Sequence, residues 1–126
     1  LKDLKEKIGM SVMFITHDLG LVANVADRVI TMYAGNIVEE AETHAFFKRQ
    51  YHPYTEGLLH AIPNPDLKQE RLYVIEGTVP SIKKNIVGCK FYDRCQKHCD
   101  KCKEQRPPMI SVEEGRTVAC WLYSEA

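Results

Sequence analysis

Apolar and polar positions change rhythm several times along the 126-residue chain, and each change predicts an element. Leu1, Leu4 and Ile8 recur at helical spacing, and Gly9 stands where such a helix ends. Residues 11–16, Ser-Val-Met-Phe-Ile-Thr, form a continuous apolar run, the pattern of a strand buried on both faces of a parallel sheet flanked by helices. Asp18 is placed to cap a helix over 19–27, with Leu19, Val22, Ala26 and Val29 on one side. Residues 28–33 and 37–40 read as two β-rich pieces joined by the turn Ala34-Gly35-Asn36, a hairpin. Thr43 caps a short helix carrying Phe46 and Phe47. Pro53 opens another, with Leu58, Leu59 and Ile62 as its apolar face and Pro63 and Pro65 as its stop.

Beyond this point the helical rhythm fades. Five of the six prolines fall between 63 and 108, and short β-like stretches such as Leu72-Tyr-Val-Ile75 take over. The change places a boundary between a first unit, 1–62, and a second, 63–126.

Composition is that of an ordinary globular chain, 44% apolar with 17 basic and 17 acidic residues, which argues against whole-chain binding to nucleic acid or an anionic membrane. The charge is unevenly distributed, however. Between Lys83 and Arg106 there are 8 basic residues against 3 acidic ones. No apolar run reaches the roughly 18–20 residues of a membrane helix, and the first residues lack the apolar core of a signal peptide. Because it starts at Leu1 rather than Met, inside a segment that resembles the middle of an element, the chain reads as a piece of a longer protein.

Five cysteines stand at 89, 95, 99, 102 and 120, spaced C-x5-C-x3-C-x2-C-x17-C, and none occurs before them. An odd count, close spacing and no secretory signal favour a metal or cluster site over a disulfide framework. Four thiolates suit either an iron–sulfur cluster or a tetrahedral zinc site. Lys90, Arg94, Lys97 and Lys101 surround them, and basic neighbours lower the cost of gathering negative charge and depress thiol pKa values. Cys99 opens a C-x2-C pair with Cys102, a zinc-ribbon spacing. That pair supports an alternative, a small zinc-binding interaction module that binds nucleic acid through the basic stretch, with Phe91 and Tyr92 as stacking platforms.

The string Phe14-Ile-Thr-His-Asp-Leu19, continued through Val25-Ala-Asp-Arg-Val29, Met32-Tyr-Ala-Gly35 and Ile37-Val-Glu-Glu40, closely resembles the region after the catalytic strand in ATP-binding subunits of ABC transporters. The resemblance implies an α/β fold of the P-loop NTPase type, of which residues 1–62 would be the C-terminal part. It puts His17 at the family's switch histidine, which contacts the γ-phosphate of ATP and helps hold the attacking water; an imidazole there donates a hydrogen bond as charge develops on phosphoryl oxygen. Neither a G-x-x-x-x-G-K-[ST] loop, a Leu-Ser-Gly-Gly-Gln-type signature nor an acidic pair ending the strand at 11–16 occurs. The intact subunit would be an ATPase, whereas these residues alone are not expected to hydrolyse ATP.

Two later blocks narrow the resemblance. His52-Pro-Tyr-Thr55, with Leu58-Leu59 and Ala61-Ile-Pro63, is similar to the segment after the nucleotide-binding domain in oligopeptide and dipeptide permease ATP-binding subunits; His52 and Tyr54 themselves read as packing residues. Gly88-Cys89-Lys-Phe91-Tyr-Asp-Arg94-Cys95, then Cys102, Pro107-Pro108 and Cys120, resembles the C-terminal cysteine motif of the same subunits. That match implies a small loop-rich domain in which Cys89, Cys95, Cys102 and Cys120 ligate a [4Fe-4S] cluster, with zinc as the alternative and Cys99 outside the pattern. It further implies peptide import, a peripheral place on the cytoplasmic face of the cell membrane, and partnership with membrane permease subunits and a second ATP-binding subunit, with no nucleic-acid partner. A strand at 11–16 without neighbours leaves unpaired edges, so self-association of the chain is expected.

Overall fold

A computed structural model describes residues 1–63, 66 and 73–124. Strand β1, Arg28–Tyr33, buries every second residue: Val29, Thr31 and Tyr33 face inward, while Ile30 and Met32 face out. Strand β2, Asn36–Glu42, returns antiparallel through a turn of two residues rather than three, since Asn36 already pairs with Tyr33. Ala34 at φ 47 and Gly35 at φ 81 supply the two positive angles that match the twist of a tight hairpin. Register slips within the pair: Thr31 faces Glu39 and Met32 faces Ile37, so Val38 is an extra residue. This bulge turns both Val38 and Glu39 inward where strict alternation would expose one of them.

A second hairpin, β3 (Ile110–Glu113) and β4 (Arg116–Val118), joins the first, because β4 pairs antiparallel with β2 in the order β1-β2-β4-β3. The backbone N–H of Ala119 donates to the Val38 carbonyl at 2.8 Å and extends that seam. Residues from both sides of the boundary expected at 62/63 therefore share one sheet.

Helices α1 (Lys2–Ile8) and α2 (Leu19–Val25) lie where the spacing predicts them; Gly9 closes the first at φ 66, and the Asp18 carboxylate caps the second by accepting from the Leu21 N–H at 3.0 Å. Thr43 does not cap helix α3 (Thr43–Lys48). It is that helix's first residue, and its hydroxyl donates to the Ala26 carbonyl at 2.7 Å, tying α3 to the end of α2. Helix α4 (Pro53–His60) opens on Pro53, as expected. Val29, Ala41 and Phe46 form one core cluster, with Leu19, Val22, Phe47 and Leu59 against it.

Two expectations need correction. Residues 11–16 form no strand, and the sheet is antiparallel throughout, not parallel. Met13 and Ile15 are 87% and 91% exposed, because among the described residues no strand lies alongside to pair with this segment and no helix covers it. The stretch 73–75 is likewise not a strand, while Leu72 and Pro65 lie outside the described residues. Ile75 instead packs beside Tyr33, Val38 and Phe91.

Candidate functional site

The cysteine segment is short of regular structure: a 3-10 turn at Tyr92–Arg94, helix α5 (Asp100–Glu104), and a second 3-10 turn at Trp121–Tyr123. Packing against the sheet gives it shape. Phe91, 3% exposed, stands edge-on to Tyr33 with ring centroids 5.1 Å apart, and Cys89 and Cys95 pack on the same cluster. Cys120 stands two residues past the end of β4 and joins Tyr51 and Val118 in a separate cluster. Sheet and loop thus bring Cys89, Cys95, Cys102 and Cys120 onto the wall of one narrow cavity, together with His52, Phe91 and Trp121.

Each of these four sulfurs meets a backbone N–H. Cys89 accepts from Phe91 and Tyr92, Cys95 from Lys97 and Cys120 from Leu122, while the Cys99 N–H reaches the Cys102 sulfur at 3.4 Å. Burial nevertheless dominates the acidity of the thiols, raising Cys89 and Cys95 and pushing Cys102 and Cys120 up to about 11. The expected depression by the surrounding cations is therefore not found, because most of those cations are occupied elsewhere. Lys90 donates to the Ala34 carbonyl at 2.9 Å, and Arg94 to the carbonyls of Ile75 and Glu76 at 3.0 Å each. Lys101 lies over the Trp121 ring at 3.8 Å, and Lys97, the one that does lower Cys95, pairs with Glu56 at 2.6 Å.

Cys99 behaves differently from the other four. It is exposed and caps the N-terminus of α5, with its sulfur 3.3 Å from that of Cys102; the hydrogen bond from Cys102 holds the Cys99 thiol below its ordinary range.

Among the described residues no three His, Cys, Asp or Glu side chains converge to hold a single metal ion. What the arrangement does supply is a set of four sulfurs on one cavity, each with an N–H donor, and that donor chemistry fits an iron–sulfur cluster. Of the two platforms that a nucleic-acid module would use, Phe91 is buried and presents no face to a base, whereas Tyr92 is half-buried with its ring 4.6 Å from that of His98.

One feature of the site has no signal in the spacing of residues. Glu39 and Arg116 are both buried and form an ion pair at 2.7 Å. Arg116 also donates to the carbonyls of Ala45, at 2.9 Å, and Arg49. Glu39 accepts from the backbone N–H groups of Tyr51, at 3.1 Å, and His52, at 2.9 Å, and so fixes the turn that leads into α4. Nothing in the pair Glu39-Glu40 marks the first as the buried one; the bulge at Val38 decides it. His52 and Tyr54 pack, as their positions predict. The His52 Nδ1 accepts from the Tyr54 N–H at 3.0 Å, and burial lowers the imidazole to a pKa of about 4. His17 is exposed on the loop before α2 and takes no part in the cysteine cavity.

Residues 38–102 match the family described as oligopeptide/dipeptide transporter, C-terminal region. The chain belongs to this family. The matched span of the transporter C-terminal region runs from the bulge in β2 through α3 and α4 to Cys102; His17 and Cys120 lie outside it. Over 125 residues the chain is 46% identical to the oligopeptide transport ATP-binding protein AppD of Bacillus subtilis, covering 99% of this chain and 38% of that protein. It is 45% identical over 124 residues to the probable peptide ABC transporter ATP-binding protein y4tR of Sinorhizobium fredii, covering 98% and 37%. It is 37% identical over 125 residues to the dipeptide transport ATP-binding protein DppD of Caldanaerobacter subterraneus, covering 99% and 38%. The chain thus spans less than two-fifths of the length of these relatives. Among the described residues no helix is long and apolar enough to cross a membrane.

Proposed function

We propose that this chain is the C-terminal part of an ATP-binding subunit of a peptide ABC importer, acting at the cytoplasmic face of the membrane beside permease subunits and a second ATP-binding subunit. The observation that carries this reading is the family match over residues 38–102, joined to identity with peptide-transport ATP-binding proteins along nearly the whole chain. In this reading the exposed imidazole of His17 donates to the γ-phosphate of ATP, stabilising charge that develops there. The exposed apolar residues 12–15 pack, in the longer protein, as a strand of the nucleotide-binding domain, and in the chain alone they draw copies together. Residues 1–62 belong to that domain, and 63–126 form an extension that folds back onto it through the pairing of β4 with β2.

Cys89, Cys95, Cys102 and Cys120 are assigned here to a [4Fe-4S] cluster, which when bound gathers the four thiolates and supplies the positive charge that the buried cavity lacks. Support comes from their shared cavity and the N–H donors aimed at each sulfur. A transporter containing this chain, purified without oxygen, tests both parts. About four iron and four acid-labile sulfide per copy of the chain are expected, and His17→Ala is expected to lower ATP turnover about 10²–10³-fold while ATP still binds. Unchanged turnover overturns the role of His17; about one zinc with no sulfide overturns the cluster.

A further inference from the structure

Cys99 is the one cysteine that the four-sulfur set leaves unused, and its place is specific. It caps α5 in an extended conformation, so that its carbonyl accepts from the Cys102 N–H at 3.0 Å and its own N–H reaches the Cys102 sulfur at 3.4 Å. These reciprocal contacts hold the two sulfurs 3.3 Å apart, one exposed to solvent and the other buried in the cavity wall. A C-x-x-C pair in van der Waals contact needs little backbone movement to close.

We propose that Cys99 and Cys102 form a dithiol site that closes to a disulfide by exchange with a low-molecular-weight disulfide, withdrawing the Cys102 sulfur from the four that line the cavity. The exposed Cys99 sulfur attacks one sulfur of the small disulfide; a bond forms between them, the small molecule's own S–S bond breaks, and one thiol leaves with the Cys99 proton. Buried Cys102 then attacks the Cys99 sulfur, the Cys99–Cys102 bond forms, and the second small thiol leaves with the Cys102 proton. Two protein thiols are oxidised and one small disulfide is reduced to two thiols. Cys99 is the entry point because it is accessible, and Cys102 resolves because it is already in contact. The consequence for the cluster rests on the reading above; the disulfide itself does not.

The full chain, reduced and free of metal, is equilibrated in glutathione buffers of rising oxidised fraction, alkylated and analysed by intact mass and peptide mapping. Expected are the loss of two hydrogens, three alkylated thiols in place of five, and a cross-link mapping to Cys99 and Cys102. Cys102→Ser is expected to trap glutathione on Cys99, and Cys99→Ser to remove the cross-link. A cross-link between any other pair, or a lasting glutathione adduct on Cys99 in the unmodified chain, overturns the proposal. Iron and sulfide uptake is measured in parallel on the reduced chain. Failure there overturns the cluster reading and leaves the mapping to decide the disulfide.

Discussion

Arg116 satisfies three acceptors at once, and each comes from a different part of the chain: Glu39 in β2, Ala45 in α3 and Arg49 after it. Removing one member of such a pair leaves the other charge buried without compensation, at a cost of about 3–5 kcal/mol, whereas replacing both with apolar groups of similar volume is close to neutral. Arg116→Ala is therefore expected to lower the urea midpoint severely, and Glu39→Leu with Arg116→Met to recover most of the loss; equal losses in both would mean that the pair contributes packing rather than charge. His52 acts through pH. Burial lowers its pKa in the fold to about 4, against 6.5 ordinarily, so between these values the unfolded chain binds the extra proton. Stability should fall as pH drops from about 6.5 to about 4, by ~3 kcal/mol in all, and level off below. His52→Asn keeps an acceptor for the Tyr54 N–H and should flatten this part of the profile in urea titrations; an unchanged slope would exclude His52 as its source.

Helix α5 is too short to stand alone, so its position depends on what approaches it. Gly88 makes the approach possible. A Cβ there would lie 2.3 Å from the Cys102 carbonyl oxygen and 2.4 Å from that of Lys103, while the neighbouring Cys89 N–H donates to the Cys102 carbonyl at 2.7 Å. A side chain must push α5 away, separating the Cys89 and Cys102 sulfurs. Gly88→Ala is expected to cost about 1–3 kcal/mol and to speed native-state alkylation of both thiols, with Val87→Ala at the exposed neighbour as the control. No change in alkylation rate would show that the contact does not set the cavity. The family resemblance marks Gly88-Cys89 as part of a motif, but the reason for the glycine is a contact with backbone fourteen residues later.

At the level of the whole molecule, one antiparallel sheet joins the N-terminal hairpin to the last hairpin and carries Cys120 back to the other cysteines. The opposite end of the chain is unlike this: Met13, Phe14 and Ile15 stand exposed in an apolar run. Light scattering of the full chain at micromolar concentration is expected to give a dimer or larger mass, and Met13→Glu with Ile15→Glu to return it to the monomer. A monomeric unmodified chain would count against self-association. The pattern at 11–16 reads as a strand because composition reports what a segment can do, whereas a strand exists only when neighbours pair with it.

The sequence alone determined the helix cap at Asp18, the helix start at Pro53, the hairpin around Gly35, the clustering of the cysteines and the transporter family, because these depend on residue types within a few positions of one another. Tertiary structure decided that Glu39 is buried and Glu40 is not, that Lys90 and Arg94 beside the cysteines bind backbone carbonyls elsewhere in the fold, and that Cys120 joins the other cysteines at one cavity. Those outcomes follow from a single extra residue in a strand and from contacts between segments up to 77 positions apart. Local patterns carry no record of such distances, and burial, which raises the thiols of Cys89, Cys95, Cys102 and Cys120 and lowers the imidazole of His52, is a property of the assembled fold.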